Sequence, residues 1–189
     1  MDNVLIVSNS EKNISFFHEI LSQNSFKKIV TASNCNEAKR ILIDREFKLC
    51  IIDAPLADEF GTSFALSIAS KGICQVIITV NNELLDEIAS KVENYGVYTL
   101  GKPLDKDMLW SMLKLANAVY NKMSMLKNEN SKLLKKIEDI RLIDKAKCML
   151  IQYMNLTETQ AHKHIEKQAM NMRITRREVA EGILQTYDR

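Results

Sequence analysis

Proline and glycine are scarce in this chain, whose 189 residues include two prolines and five glycines. So few helix-breaking residues exclude collagen-like, proline-rich and low-complexity sequences. Apolar residues make up 46% of the chain, more than a disordered protein usually has. The composition therefore predicts a folded, helix-rich protein. Its length suits one large domain, or a medium-sized domain followed by a small module.

Long apolar runs are also absent. No stretch approaches the roughly 18 residues that a membrane-spanning helix needs. The first residues, Met1-Asp2-Asn3, lack the basic region with which a signal peptide begins. These absences predict a cytoplasmic protein without a membrane segment.

The four cysteines, Cys35, Cys50, Cys74 and Cys148, are far apart and form no CxxC pair. Neither a disulfide framework nor a metal site is expected, and each cysteine is predicted to be a small buried apolar residue. The sequence also has no Ser/His/Asp set and no phosphate-binding glycine loop, so an enzyme is the least favoured class.

Short apolar segments alternate with helical segments over the first 118 residues. Strands are predicted at residues 3–8, 28–32, 49–53, 74–80 and 97–100, and helices at 11–23, 34–46, 62–70 and 83–94. Continuous apolar strands with short connections are typical of a parallel sheet covered by helices on both faces. We therefore predict an α/β fold with a doubly wound, flavodoxin-like five-stranded parallel sheet for residues 1–118.

Polar side chains follow several of these strands. They are Ser8 and Asn9, Asp53, Thr79, and Lys102 followed by Pro103. The carboxyl ends of parallel strands share one edge of the sheet, where functional groups collect. The sequence therefore predicts a polar pocket at this edge.

Three segments resemble the motifs of response-regulator receiver domains. They are Ile51-Ile52-Asp53 with Gly61 eight positions later, Ile77-Ile78-Thr79, and Lys102-Pro103. The resemblance implies that Asp53 is the phosphoacceptor-like residue and that Thr79 and Lys102 are the switch residues that bind the phosphoryl oxygens. A carboxylate nucleophile does need a cation and hydrogen-bond donors to hold the charge that it acquires.

One part of the receiver pattern is missing. Receivers usually carry two acidic residues after the first strand, which hold a divalent ion, whereas this chain has Ser8 and Asn9. Magnesium prefers anionic oxygen ligands, so a magnesium cofactor is doubtful and phosphoryl transfer is expected to be poor or absent. In that case Asp53 pairs with Lys102 instead. The aromatic residue that receivers usually have just before the lysine is also displaced, since Thr99 lies three residues before Lys102 and Tyr98 lies four before it.

An apolar seven-residue repeat runs through residues 105–154. One row contains Leu109, Ala116, Met123 and Ile137, and the other contains Met112, Val119, Leu126, Leu133 and Ile140. Asn130 is the single polar position in the first row, and such an Asn fixes register and favours a parallel pair of helices. We predict a coiled-coil linker at 119–140 that forms a homodimer through Met123, Leu126, Asn130, Leu133 and Ile137.

The alternative is that this helix packs on its own domain. That alternative fits residues 109–119. It does not fit residues 123–140, where the apolar positions have many charged neighbours, which disfavours burial on two sides.

The C-terminal part of the chain is basic. Residues 1–117 carry 12 Lys and Arg against 15 Asp and Glu, a net charge of −3, whereas residues 118–189 carry 14 against 9, a net charge of +5. Thr157 with Gln160, and Thr175 with Glu178, have the spacing of helix-capping boxes. Two short helices cannot bury a core alone, so residues 141–189 are predicted to form a three-helix bundle with the end of the long helix.

The order Ala146-Lys147, Ala161, Gln168-Ala169-Met170, Arg173 and Val179-Ala180 resembles the ANTAR domain of antitermination regulators. The resemblance implies binding to hairpins in nascent messenger RNA that prevent formation of a terminator. Among the basic residues of the bundle, which include Lys145, Lys163 and Lys167, we select RNA-binding candidates. They are Lys147, Gln168, Arg173, Arg176 and Arg177. Lys145 and Lys163 are better explained as ordinary solvated surface, and Gln168 has the alternative role of joining the second and third helices.

The sequence therefore favours a dimeric transcription antitermination regulator that binds mRNA leader hairpins, with a sensor histidine kinase or another regulatory protein as a further partner. The first alternative is a phosphorylation-switched DNA-binding response regulator, although no helix-turn-helix with a tight glycine turn is evident. The second is a protein-interaction module without RNA affinity.

Overall fold

The computed structural model describes residues 3–22, 26 and 28–187. The five strands are β1 (Asn3–Val7), β2 (Lys28–Ala32), β3 (Leu49–Asp53), β4 (Gln75–Asn81) and β5 (Val97–Lys102). The seven α-helices are α1 (Glu11–Ser22), α2 (Cys35–Asp44), α3 (Thr62–Ser70), α4 (Leu85–Val92), α5 (Lys106–Met154), α6 (Glu158–Met172) and α7 (Arg176–Tyr187). Two compact units result, Met1–Met123 and Ser124–Arg189. No helix in the described ranges is long and apolar enough to span a membrane.

The strands of the first unit form one parallel sheet in the order β2-β1-β3-β4-β5. Every residue of β3 is buried, as a central strand covered on both faces requires. Alternate residues of β1 enter different cores: Leu5 and Val7 pack with α2, α3 and α4, whereas Val4 and Ile6 pack with α1 and the start of α5. The predicted doubly wound α/β fold is confirmed.

The observed elements differ from the predicted ones mainly at their ends. The helix predicted at 83–94 is an α-helix only from Leu85 to Val92, because short 3-10 turns, Asn82–Leu84 and Glu93–Tyr95, flank it. Strand β5 continues beyond residue 100 because Gly101 and Lys102 pair with the end of β4. The predicted end of α1 at Gln23 lies outside the described residues.

The first turns of α5 belong to the core of the first unit. Leu109, Leu113 and Ala116 are buried with Ile51 and Leu100 beneath the sheet. The predicted alternative, in which residues 109–119 pack on their own domain, is therefore the arrangement seen at Leu109 and Ala116.

The second unit is a three-helix bundle built from the end of α5, α6 and α7. Its buried core contains Ala146, Leu150, Ala161, Ile165, Ala169, Val179, Ala180 and Ile183. Both predicted capping boxes are present. The Thr157 hydroxyl accepts a hydrogen bond from the Gln160 amide at 3.3 Å, and the Glu178 carboxylate accepts one from the Thr175 amide at 2.7 Å. These caps satisfy backbone groups at the starts of α6 and α7.

The prediction of buried cysteines is right for three residues and wrong for Cys148. Cys35, Cys50 and Cys74 are buried in the first unit, and burial raises the pKa of the Cys74 thiol to about 12. Cys148 is exposed because the positions two residues before and after it, Ala146 and Leu150, form the inward face of α5.

A matched pair of isoleucines tests the core of the first unit. Ile51 is 0% exposed, whereas Ile43 is 83% exposed. We expect Ile51→Ala to lower the free energy of unfolding by about 2–5 kcal/mol, because it leaves a cavity, and Ile43→Ala to change it by less than about 0.5 kcal/mol. Trp110, the one tryptophan of the chain, packs against the same core and provides the fluorescence signal for urea unfolding. Equal losses in the two variants would contradict this assignment of the core.

Candidate functional site

The carboxyl edge of the sheet brings together the three receiver-like residues that the sequence predicts. Asp53 ends β3 and is paired in register with Thr79 of β4. Lys102 ends β5, so its side chain reaches the same edge. Asp53 is only 2% exposed, so its charge must be balanced by groups of the protein.

Both carboxylate oxygens of Asp53 are occupied by protein donors. Oδ1 accepts a hydrogen bond from the Thr79 hydroxyl at 3.0 Å and lies 2.7 Å from Lys102 Nζ. Oδ2 accepts hydrogen bonds from the Ser8 hydroxyl at 2.6 Å and from Asn13 Nδ2 at 2.9 Å. Lys102 also donates to the carbonyl of Ala54, which fixes the ammonium beside the carboxylate.

The balance of these contacts favours an ionised Asp53. Burial raises the pKa of its carboxyl group, but hydrogen bonds from Lys102, Ser8 and Asn13 and the charge of Lys102 outweigh that effect. The pKa therefore lies below its ordinary value.

The two residues that replace the usual acidic pair have different positions. Ser8 is buried, and its hydroxyl accepts a hydrogen bond from the Ser10 amide at 3.1 Å while it donates to Asp53. Asn9 is exposed, and among the described residues it makes no hydrogen bond with the carboxylate.

Asn13 is the member of this pocket that sequence reasoning missed. It lies in the first turn of α1, where Ser10 Oγ lies 3.4 Å from its backbone amide. The first turn of the helix after β1 stands above the edge of the sheet that carries Asp53. The polar residue at this position is therefore the feature of the sequence from which a contact with Asp53 could have been predicted.

The second candidate site is the surface of the helical bundle. Lys147 lies 2.8 Å from Asp144 and 2.9 Å from Glu158 of α6. These hydrogen bonds raise the pKa of Lys147 and connect α5 to the start of α6. The ammonium is thus already neutralised within the bundle.

Two of the three predicted arginines are also held in ion pairs. Arg177 lies 2.7 Å from Asp139 of α5 and 2.8 Å from Glu181 of its own helix, and these hydrogen bonds raise the pKa of its guanidinium. Arg176 lies 3.2 Å from Glu166 of α6. Both residues therefore connect α7 to a neighbouring helix.

Arg173 and Gln168 differ from these residues. Arg173 follows α6 with a left-handed backbone (φ 55°), and its amide bonds to the carbonyls of Ala169 and Met170. Its side chain is exposed and has no hydrogen bond or ion pair in the described part of the chain. Gln168 is half-buried on α6.

The structure does not bring all five predicted RNA-binding residues together. Lys147 lies beside the first residue of α6, whereas Arg173 follows its last residue and Arg176 contacts Glu166 in its middle. The 15 residues of α6, a length of about 22 Å, separate Lys147 from Arg173. Lys147 therefore lies apart from Arg173, and RNA binding by any of the five residues stays a prediction.

The predicted dimerisation residues of α5 face solvent in the single chain. Met123, Leu126, Leu133 and Ile137 are between 47% and 58% exposed, and Asn130 is exposed as well. Their contribution to a dimer stays a prediction.

Comparison with known proteins gives the second unit its class. Residues 131–184 match the ANTAR domain. The chain is also 26% identical, over 168 residues, to the transcriptional regulatory protein PdtaR of Mycobacterium tuberculosis strain H37Rv. That similarity covers 89% of this chain and 82% of the relative.

The first unit has the fold of solved receiver domains. The signal receiver domain of an HD domain-containing protein from Pseudomonas fluorescens Pf-5 is 23% identical, with a TM-score of 0.58, and the match covers 65% of this chain and 91% of that one. A CheY-like receiver domain from Methanospirillum hungatei JF-1 is 20% identical, with a TM-score of 0.57, and the match covers 64% of this chain and 97% of that one.

The sequence-based assignment is thereby confirmed for both parts of the chain. The receiver fold places Asp53, Thr79 and Lys102 in one pocket, and the basic bundle lies within the residues matched by the second family. The chain therefore carries an ANTAR domain at residues 131–184, after a first unit that has the receiver fold.

Proposed function

We propose that this protein is an RNA-binding transcription antitermination regulator. The observation that carries the proposal is the ANTAR match at residues 131–184, which coincides with a folded, basic three-helix bundle. The relative PdtaR is named a transcriptional regulatory protein, which agrees with a role in transcription. The ligand is a hairpin in a nascent mRNA. When the protein holds this hairpin, a terminator cannot form.

The charge of the C-terminal part supports an RNA ligand. Residues 118–189 carry a net charge of +5, and phosphate neutralisation by Lys and Arg provides most of the affinity in such complexes. Sequence-selective RNA binding usually targets loop bases that are turned outward, which a compact helical bundle can contact from one side.

A parallel coiled-coil dimer would supply two such bundles. The exposed apolar residues Met123, Leu126, Leu133 and Ile137 favour burial against an identical helix. Asn130 in the same row sets the register, because its amide needs the Asn of the other helix. Linked bundles could hold two hairpins of one RNA, and linkage raises affinity without any new contact. In this proposal the linker is residues 119–140, between a receiver-like domain at 1–118 and an RNA-binding domain at 141–189.

The Asp53 pocket belongs, in this proposal, to a receiver that phosphorylates poorly or not at all. The residues around Asp53 do not fit a magnesium site, since Ser8 and Asn13 occupy one carboxylate oxygen as donors and Lys102 and Thr79 occupy the other. A divalent ion would have to displace hydrogen-bond donors and accept neutral ligands in place of carboxylates. Asp53 then has a structural role. The receiver is controlled by contact with a regulatory protein, and that protein is either a sensor histidine kinase that binds without transferring phosphate or another regulator.

A gel shift at two salt concentrations tests the proposed ligand. We expect the full-length protein to bind a single-stranded RNA with two hairpins more tightly than duplex DNA of the same length. We also expect the affinity for RNA to fall steeply as salt rises, because phosphate contacts release counterions. Tighter binding to duplex DNA would favour a DNA-binding regulator. No salt-dependent affinity for either ligand would favour a protein-interaction module.

Disruption of the apolar seam tests the dimer. We expect Leu126→Ser combined with Leu133→Ser to give a monomer in sedimentation equilibrium and to weaken binding to a two-hairpin RNA at least tenfold, while binding to one hairpin changes little. Met125→Ser is the control, since Met125 is exposed beside Leu126 but lies outside the seven-residue rows. A monomeric variant that binds the two-hairpin RNA as tightly as the parent would remove the seam from the mechanism.

Incubation with acetyl phosphate and magnesium tests the pocket. We expect no stable gain of a phosphoryl group in the intact mass of the parent, because the residues around Asp53 do not fit a magnesium site and both carboxylate oxygens are engaged. Asp53→Asn serves as the blank. A magnesium-dependent mass increase of one phosphoryl group in the parent, absent from Asp53→Asn, would show that the receiver is active.

A further inference from the structure

The outward face of α6 carries cations that the bundle does not use. Lys163 and Lys167 are exposed, one turn apart on the side of α6 opposite the buried Ala161 and Ile165. In the described ranges neither ammonium has a hydrogen bond or an ion pair. Arg173, just beyond the end of this helix, is likewise exposed and unpaired.

The acidic residues of α6 do not neutralise this face. Its two carboxylates are Glu158, which lies 2.9 Å from Lys147 of α5, and Glu166, which lies 3.2 Å from Arg176 of α7 and 3.4 Å from His162. Each carboxylate thus has a cation of its own. Among the residues of the bundle that the structure describes, no carboxylate pairs with Lys163 or Lys167.

An apolar side chain lies on the same face. Met170 is seven residues after Lys163 and three after Lys167, so the three side chains project from one side of the helix. Met170 is 79% exposed. A flexible, polarisable thioether beside cations can contact an unstacked base while the cations bind the adjoining phosphates.

Resting on the RNA-binding function proposed above, we infer that this outer strip, defined as Lys163, Lys167, Met170 and Arg173, is the surface that contacts the RNA hairpin loop. It spans about 15 Å along the helix axis. Lys163, Lys167 and Arg173 neutralise phosphates, and Met170 contacts a base. The ion-paired Lys147, Arg176 and Arg177 hold the three helices together and do not supply the main phosphate contacts.

Fluorescence anisotropy with the full-length protein and a labelled two-hairpin RNA tests this inference. We expect Lys163→Gln combined with Lys167→Gln to weaken binding at least tenfold. We also expect the slope of log affinity against log salt to become shallower by about 1.4, for two lost contacts to a single strand. The melting temperature should not change, because neither lysine has a partner among the described residues of the bundle.

The matched control removes the same charge from another exposed face. Lys132→Gln combined with Lys135→Gln lies on α5, outside the seven-residue apolar rows, and is expected to weaken binding less than threefold. Met170→Ala is expected to weaken binding about threefold or more without changing the salt slope, because it removes an uncharged contact.

The outcomes separate the strip from the proposed function. If the parent binds the RNA and the Lys163/Lys167 variant binds equally well, the strip is not the RNA surface and is free to bind a protein. If the Lys132/Lys135 control loses as much affinity as the strip variant, the loss results from the lower net charge of the protein and not from the strip, and the inference fails. If the parent itself has no affinity for hairpin RNA, the proposed function fails first.

Discussion

The apolar side of α5 is the constraint on which the two units depend. Apolar residues in a helix gain stability only where they leave water, and α5 has such residues along most of its 49 positions. Leu109 and Ala116 are covered by the sheet, and Ala146 and Leu150 are covered by α6 and α7. The residues between them, from Met123 to Ile140, remain exposed. The apolar stripe of α5 is therefore buried in the first unit at one end and in the helical bundle at the other, and it is exposed between them.

The stability of the Asp53 pocket depends on a different interaction, because here a buried charge must be balanced by hydrogen bonds and an opposite charge. In a receiver that binds magnesium, the acidic residues and the ion balance each other. In this chain, one lysine and three neutral donors surround a single carboxylate, and hydrogen bonds from Lys102, Ser8 and Asn13 lower the pKa of Asp53 despite its burial. The substitution of Ser8 for an acidic residue is therefore matched by a hydrogen bond that Ser8 itself donates. Within the receiver fold, the charge of Asp53 is thus balanced by side chains of the protein itself.

The sequence predicts features that depend on neighbours along the chain better than features that depend on packing. The buried strands follow from their continuous apolar residues, and both capping boxes follow from a spacing of three residues. Gly61 has a left-handed backbone (φ 104°), and a Cβ there would lie 2.9 Å from Ile52, so the glycine is needed for the turn before α3. Asn13 in the pocket and the pairing of Arg177 with Asp139 depend on how helices pack across 40 and 38 positions. A polar residue in the first turn of α1 marks Asn13 as a candidate, but the local sequence does not identify the partner in either contact.

The same distinction decides which cations of the bundle are available to a ligand. In the sequence, Lys147, Arg177, Lys163 and Lys167 all contribute equally to the positive charge of the bundle. The structure divides these four residues into two groups. Lys147 and Arg177 contact carboxylates of neighbouring helices, and an RNA phosphate could use them only by breaking those contacts. Within residues 28–187, Lys163 and Lys167 have no hydrogen bond or ion pair that an approaching phosphate would break. The binding free energy gained from a new ion pair is reduced by the energy of any contact that must be broken to form it. The unpaired lysines therefore contribute more to phosphate binding than the paired residues do. The paired residues instead connect neighbouring helices of the bundle. The cations that hold the bundle together are therefore different residues from those that are available to a phosphate.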